Sequence, residues 1–145
     1  KRATAKLVLP AKRFEIVNLN QVIFVNDSYN ASEISVKAAL ESLPALKKGG
    51  KTIAVIGEML ELGKFSEMCH LNVGKTALEY VDHMLLLGKE SAPILECWKE
   101  NGKPVELFLD RGLLLKALKR LVKPHDVVLL KGSRANELWK ILEEF

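Results

Sequence analysis

The chain has 145 residues, of which 48% are hydrophobic and 28% are charged, with a net charge of +4 and an isoelectric point near 9.1. This composition excludes an extensively disordered chain and fits one globular domain that buries a sizeable core. Basic residues are scattered among acids rather than gathered into a stripe, which argues against a nucleic-acid partner and allows a small anionic one such as a nucleotide.

The predicted elements begin with an extended segment at 6–17, where Pro10 separates two apolar runs. It predicts an edge strand or hairpin that leads into a sheet. Short apolar runs predict five further strands, at 22–25, 52–56, 84–87, 105–109 and 127–130. Apolar residues at three- and four-residue spacing predict five helices, at about 32–46, 66–80, 91–101, 111–122 and 134–144.

Strands and helices thus alternate along the chain. The strands are continuously hydrophobic, which is typical of a parallel sheet that is covered on both faces. We therefore expect an α/β fold: a doubly wound, mostly parallel, Rossmann-like sheet with helices on both faces and an N-terminal edge strand or hairpin. Residues 1–145 are expected to form one domain, and the pattern leaves the strand order open.

Several classes of site and setting are disfavoured. Cys69 and Cys97 lack CxxC spacing and the count of a disulfide scaffold, which favours a reducing cytoplasm. The adjacent Cys69 and His70 cannot reach one metal ion from one helix face, so no metal site is expected. The stretch VGKT at 73–76 lies inside a predicted helix and has Cys69 where a phosphate loop needs glycine, so Gly74 is interpreted as a packing position.

Membrane insertion is also not expected, because the apolar runs are far shorter than the roughly 20 residues that cross a bilayer. No cleavable signal pattern opens the sequence. The first residue is Lys1 rather than methionine, and we expect the sequence to be a fragment of a longer protein.

Two polar loops stand where ligands bind in such sheets, beyond the carboxyl ends of the strands. In VNDSYNAS, at 25–32, Asp27 can accept two ribose hydroxyls, while Tyr29 and Asn30 can contact phosphate or base near a helix start. The alternative is that Asn26, Asp27 and Asn30 only satisfy turn and cap positions.

The second polar loop is KGSR at 131–134, which is predicted to open the last helix. The Ser133 hydroxyl, free backbone amides, Lys131 and Arg134 could hold a carboxylate or phosphate there. The alternative is an ordinary capped basic turn. We expect the clusters at 26–30 and 131–134 to meet at one rim of the sheet.

Four stretches carry a family resemblance: LPAKRFEIV, VNDSYNAS, IAVIGEMLELGKFSEMCHLNVG and VVLLKGSR. In this order and spacing, the chain resembles over most of its length the C-terminal domain of the bacterial Mur ligases. The combination of DSYNA, GEMLELG and KGSR resembles most the member that joins D-alanyl-D-alanine to UDP-N-acetylmuramoyl-tripeptide. There are departures, since Lys12 replaces a usual glycine and Ser32 and Glu33 replace a common asparagine and proline.

The resemblance implies a three-domain enzyme of peptidoglycan biosynthesis, expected to be a cytoplasmic monomer. In this family ATP phosphorylates the terminal carboxylate of the peptide, and the incoming amine attacks the acyl phosphate. The C-terminal domain completes the nucleotide pocket and receives the dipeptide, so the isolated domain is expected to be inactive. Magnesium ligands are expected in the central domain. The alternative to this ligase is a non-catalytic, flavodoxin-like binding or regulatory module.

The resemblance also implies roles for individual residues. Arg13 matches an arginine near the ribose, and Asp27 matches the acid that holds the ribose hydroxyls. The implied nucleotide-binding residues are Arg13, Asn26, Asp27, Tyr29 and Asn30. The implied dipeptide-binding residues are Glu58, Lys131, Ser133 and Arg134. No catalytic residue is assigned in this chain.

Overall fold

A computed structural model describes residues 12–145. They form a six-stranded sheet in the order β1-β2-β6-β3-β4-β5. The strands are β1 (Glu15–Leu19), β2 (Val22–Asn26), β3 (Thr52–Ile56), β4 (His83–Leu87), β5 (Val105–Phe108) and β6 (Val127–Lys131). The helices are α1 (Glu33–Glu41), α2 (Ser66–Ala77), α3 (Ala92–Glu100), α4 (Arg111–Leu121) and α5 (Lys140–Glu144).

Strands β2 to β6 run parallel to their neighbours, and only β1 is antiparallel. The five apolar runs therefore form the strands that the sequence predicts. A two-residue hairpin joins β1 to β2, and both of its residues, Asn20 and Gln21, have positive φ angles of 52° and 67°. This turn matches the right-handed twist of the strands. The predicted edge element is confirmed at β1, and its part at 6–11 lies outside the described residues.

The helices cover both faces, as expected for a doubly wound sheet. Side chains of α1, α2 and α3 pack on one face, where Trp98 of α3 is fully buried. Side chains of α4 and α5 pack on the other face. The reason is the direction of the connections: the chain moves from β2 to β5 across the sheet and then returns to β6, and right-handed crossovers in opposite directions lie on opposite faces.

The predicted helix ends are wrong at two places. Helix α1 ends at Glu41 rather than near 46, because Pro44 disfavours helical geometry in the residue before it. No continuous helix spans 134–144. A short 3₁₀ turn at Arg134–Asn136 is followed by Glu137 in the left-handed conformation, with φ 50° and ψ 42°, and α5 begins only at Lys140.

His83 gives the fold a pH dependence. Its Nε2 atom is buried without a hydrogen-bond partner, and burial lowers the pKa of the imidazole, while Glu106 raises and Lys51 further lowers it. The folded state thus binds fewer protons than the unfolded state below about pH 6.5, the ordinary histidine pKa. We expect the free energy of unfolding to fall as pH decreases through this value. Urea titrations between pH 5 and 8 should show a smaller fall for His83→Gln than for the unchanged chain. Equal falls would contradict this origin.

Candidate functional site

The loops after β2 and β6 meet at one rim of the sheet. The two strands are neighbours and parallel, so Asp27 and Lys131 emerge side by side. The Nζ atom of Lys131 lies 2.9 Å from Oδ2 of Asp27, and the Lys131 side chain is only 4% exposed. The chain leaves β2 toward α1 on one face and leaves β6 toward α5 on the other. Such a divergence opens a crevice of the kind in which α/β sheets bind ligands. The neighbouring positions of Asp27 and Lys131 confirm that the two polar clusters lie at one rim.

A cavity of about 610 Å³ opens at this rim, and we name it the rim cavity. Its volume lies in the range of small-molecule sites. The polar loop of β2, the end of β6 and the exposed side of α1 surround it. Its walls are formed by Arg13, Phe14, Asp27, Tyr29, Asn30, Ala31, Ser32, Ser35, Ala38, Ala39, Ser42 and Lys131.

The Asp27 carboxylate is held from two sides. Its Oδ1 accepts a hydrogen bond from the Phe14 amide at 2.9 Å, and its Oδ2 pairs with Lys131. Lys131 also donates to the carbonyl of Asn30 at 2.9 Å, so it links the polar loop to β6. A carboxylate has about four acceptor positions. Asp27 therefore has a fixed orientation and spare capacity to accept hydroxyl groups from a ligand in the rim cavity.

Two arginines lie close to the ring of Tyr29. The guanidinium carbon of Arg13 is 4.2 Å from the ring centroid, and that of Arg134 is 5.0 Å from it. Guanidinium groups stack favourably on aromatic rings. Arg134, which the family resemblance assigns to the dipeptide, thus lies beside a wall residue of the rim cavity. Both cations are suited to phosphate oxygens.

The other polar residues of the first loop have local partners. Asn26 is 3% exposed, and its side chain bonds Glu15 and the Ser28 hydroxyl. Asn26 is therefore a structural residue of the hairpin and is not a wall residue of the rim cavity. The side chain of Asn30 accepts from the Ala31 amide. The cap of α1 is Ser32, which forms a capping box with Ser35. These local contacts are the ones that the turn-and-cap interpretation expects of Asn26 and Asn30, whereas the Asp27 carboxylate bonds Phe14 and Lys131 at the rim cavity.

A second cavity of about 320 Å³ lies at the same edge, beyond the ends of β3, β4, β5 and β6, and we name it the central cavity. Glu58, Asp110, Arg111 and Asn136 supply its polar groups. The sequence interpretation did not assign Arg111 or Asn136 to a site. DRG at 110–112 and KGSRAN at 131–136 each follow a predicted strand, and these positions could have indicated them. Arg111 lies 3.6 Å from a carboxylate oxygen of Glu137.

The predicted dipeptide residues divide between the two cavities. Lys131 faces the rim cavity, and Glu58 faces the central cavity. Ser133 is 5% exposed; its amide donates to the Glu58 carbonyl and its hydroxyl to Asn136 Oδ1. The predicted helix start at this loop is wrong, because Ser133 precedes a 3₁₀ turn that begins at Arg134, and α5 begins six residues after Arg134.

Four further features bear on the chemistry of the part of the chain that the structure describes: metal positions, the two thiols, Gly74 and membrane spans. No three side chains of His, Cys, Asp or Glu converge on a possible metal position among residues 12–145. Burial raises the pKa of both thiols, and a hydrogen bond with Glu33 raises that of Cys69 further. Gly74 packs against Ile94 in the core as expected of a packing position. Across the same residues, no helix combines the length and apolar character of a membrane span.

Comparisons with known proteins identify a family to which this chain is similar. The family model described as "Mur ligase, glutamate ligase domain" matches residues 12–134. The chain is 32% identical to the UDP-N-acetylmuramoyl-tripeptide--D-alanyl-D-alanine ligase of Bacillus subtilis (strain 168), over 95% of the chain and 31% of that protein. It is 33% identical to the ligase of the same name from Escherichia coli (strain K12), over 92% of the chain and 29% of that protein.

Solved structures give the same result. MurF ligase from Thermotoga maritima in complex with ADP superposes with a TM-score of 0.76 at 32% identity, over 97% of this chain and 32% of that chain. MurF from Acinetobacter baumannii superposes with a TM-score of 0.82 at 26% identity, over 96% and 31%. The chain thus spans about a third of the length of these relatives. With its sheet, its polar rim and a matching family model, the chain belongs to the Mur ligase family as a glutamate ligase domain.

Proposed function

We propose that this chain is the C-terminal domain of a three-domain ligase, which uses ATP to join D-alanyl-D-alanine to UDP-N-acetylmuramoyl-tripeptide in cytoplasmic peptidoglycan biosynthesis. The observation that carries the proposal is the Asp27–Lys131 pair at the rim cavity. The pair orients a carboxylate with free acceptor positions at the cavity, which suits the hydroxyl groups of a nucleotide's sugar. The names and the bound ADP of the relatives support the same substrates.

In this proposal the rim cavity receives part of the nucleotide. Asp27 accepts the ribose hydroxyls, since its orientation is fixed by Phe14 and Lys131. Arg13 and Tyr29 contact the nucleotide beside it, and Arg134 adds positive charge for phosphate oxygens. Asn30 completes the wall, while Asn26 supports the hairpin from within.

The dipeptide is proposed to enter the central cavity. Glu58 offers a carboxylate to its ammonium group, and Ser133 holds the Glu58 backbone in place. The ammonium group gives its proton to solvent, and the free amine attacks the acyl carbon of an acyl phosphate, so that the C–N bond forms, the C–O bond to phosphate breaks and inorganic phosphate leaves. A domain that orients the amine supplies proximity for this step. The central cavity holds Glu58 and Asp110, and no three metal-ligating side chains converge among residues 12–145, so this part of the chain offers no Mg²⁺ site built from protein ligands alone. We propose that other domains of a monomeric enzyme bind Mg²⁺.

Exposed apolar side chains at this edge of the sheet favour a partner surface that covers them. Large hydrophobic residues at the carboxyl edge of the sheet are exposed by 40–83%: Ile34, Leu60, Phe65, Met68, Leu109 and Leu113. Several large apolar side chains exposed at one edge of the sheet favour contact with another protein surface there. We propose that the neighbouring domains of the ligase pack here and close the two cavities. The isolated chain should therefore bind ATP weakly and join no peptides.

Asp27→Asn in the full-length ligase tests the ribose role. The amide keeps an acceptor for Phe14 but removes the charge, so we expect KM for ATP to rise about tenfold, the equivalent of a lost hydrogen bond to a charged group. Initial rates of phosphate release at saturating tripeptide and D-alanyl-D-alanine would measure it.

Asp126→Asn is the matched control for this prediction. Asp126 pairs with Lys51 at 3.0 Å at the opposite edge of the sheet, so its loss should weaken the fold without changing KM for ATP. Equal KM values for Asp27→Asn and the unchanged enzyme would overturn the ribose role. Absence of phosphate release that depends on D-alanyl-D-alanine would overturn the proposed reaction.

A further inference from the structure

His70 lies at the centre of a hydrogen-bond circuit that the proposed function does not use. It is fully buried in α2. Its Nε2 lies 3.0 Å from the amide of Met59, and its Nδ1 lies 2.8 Å from the carbonyl of Ser66. A carbonyl only accepts and an amide N–H only donates, so Nδ1 carries the proton and Nε2 is bare. The surroundings thus require one neutral tautomer of His70.

The circuit continues from α2 to the turn after β4 and returns to the loop after β3. The hydroxyl of Ser66 donates to Oε1 of Glu90 at 2.8 Å, and the amide of Glu90 donates to Oε2 of Glu58 at 3.0 Å. Glu58 and Met59 are consecutive, so the circuit closes. Hydrogen bonds that share members in this way strengthen one another and restrict the group to one arrangement.

The backbone of Gly88 packs against the Glu58 side chain and restricts its position. A Cβ atom at Gly88 would lie 2.2 Å from the carboxyl carbon of Glu58, and the φ angle of Gly88 is 98°. Only glycine adopts this conformation without strain. The Glu58 carboxylate thus packs directly on the backbone of Gly88, at the wall of the central cavity that also holds Arg111.

We propose that His70 is a positioning residue for the amine substrate: by accepting the Met59 amide, it sets the loop that aims the Glu58 carboxylate into the central cavity. This inference rests on the proposed function for its kinetic consequence. The proposed nucleotide residues lie before β1, in the loop after β2 and after β6, and none of them belongs to the circuit. Loss of the Met59 bond should therefore affect the amine substrate and not ATP.

Two substitutions separate the two nitrogen atoms of His70. In His70→Asn the side-chain amide can still donate to Ser66, but nothing reaches the Met59 amide. In His70→Gln the longer side chain places an acceptor near the position of Nε2, so the bond to Met59 can persist. The pair therefore removes or keeps the loop contact while both variants lose the imidazole ring.

Steady-state kinetics of the full-length ligase tests the proposal. For His70→Asn we expect KM for D-alanyl-D-alanine to rise about tenfold, from one lost hydrogen bond to a buried amide, with KM for ATP unchanged. For His70→Gln we expect both values near those of the unchanged enzyme. Gly88→Ala displaces Glu58 directly and should raise the same KM. Unchanged KM for D-alanyl-D-alanine in His70→Asn or Gly88→Ala would overturn the proposal.

A spectroscopic measurement on the chain itself is independent of activity. Two-bond ¹⁵N–¹H correlation of the His70 ring should show a protonated Nδ1 and a bare Nε2, and the Met59 amide should resist hydrogen exchange in the unchanged chain and in His70→Gln. The opposite tautomer, or rapid exchange of Met59, would overturn the role of His70. A ligase without activity toward D-alanyl-D-alanine but with this tautomer would instead contradict the proposed function.

Discussion

Lys131→Met is expected to lower the free energy of unfolding by about 3–5 kcal/mol, the usual cost of removing one partner of a buried ion pair. The Asp27 side chain is 15% exposed and would keep its charge without the ammonium that lies 2.9 Å away. The carbonyl of Asn30 would also lose its donor. Urea denaturation followed by circular dichroism would measure the change.

Lys51→Met is the matched control at the opposite edge of the sheet. Its partner Asp126 keeps two backbone donors, the amides of Lys51 and Lys123, and the Lys51 side chain is 30% exposed. For Lys51→Met we expect a clearly smaller fall in the free energy of unfolding than for Lys131→Met. Adding Asp27→Leu to Lys131→Met should recover part of the stability, because it removes the unpaired charge. A loss below about 1 kcal/mol for Lys131→Met, the range of exposed ion pairs, would contradict the buried pair.

Trp98→Ala is expected to lower the free energy of unfolding by about 3–5 kcal/mol, because it leaves a large cavity between α2, α3 and the sheet. Trp98 is fully buried, and its indole N–H donates to the carbonyl of Gly74 at 3.0 Å. The substitution therefore removes both packing and the partner of a helix carbonyl. The same denaturation measurement applies.

Trp98→Phe separates these two contributions. Phenylalanine retains much of the ring volume and loses only the hydrogen bond, so we expect a loss of about 1–3 kcal/mol. Gly74 explains why the two helices approach so closely: a Cβ atom there would lie 3.3 Å from the Cα of Ile94. Equal losses for the alanine and phenylalanine variants would show that packing of the ring contributes little.

The hydrophobic pattern was enough to indicate the class of fold and the edge of the sheet at which the polar loops lie. Short apolar runs between helix-length stretches predict the strands of a parallel sheet, and β2 to β6 form there within one residue of the prediction, although Glu106 is exposed in the edge strand β5. Since parallel strands end at a common edge, the loops with Asp27 and Lys131 were expected at one rim. The hydrophobic pattern indicates the strands and their common edge because the pattern depends on which residues are buried and not on the order of the strands.

Helix ends near the C-terminus could not be predicted in the same way. Apolar residues from 134 to 144 have helical spacing, yet the backbone turns at Glu137 with a φ angle of 50°. Leu138 and Ile141 are fully buried against the second face of the sheet. The packing of these two side chains, and not local helix propensity, determines the backbone conformation of residues 134–144, as tertiary contacts commonly override propensity.

The hydrophobic pattern does not indicate which polar residues lie side by side, because this depends on the strand order. The order β2-β6-β3 places Lys131 against Asp27, although 104 positions separate them in the chain. Motif matching alone assigned Lys131 to the dipeptide and gave no role to His70. Hydrogen bonds between side chains from separate loops depend on strand order and register, which are set by packing across the whole sheet. The sequence therefore indicated the residue types and the edge, and the fold determined their partners.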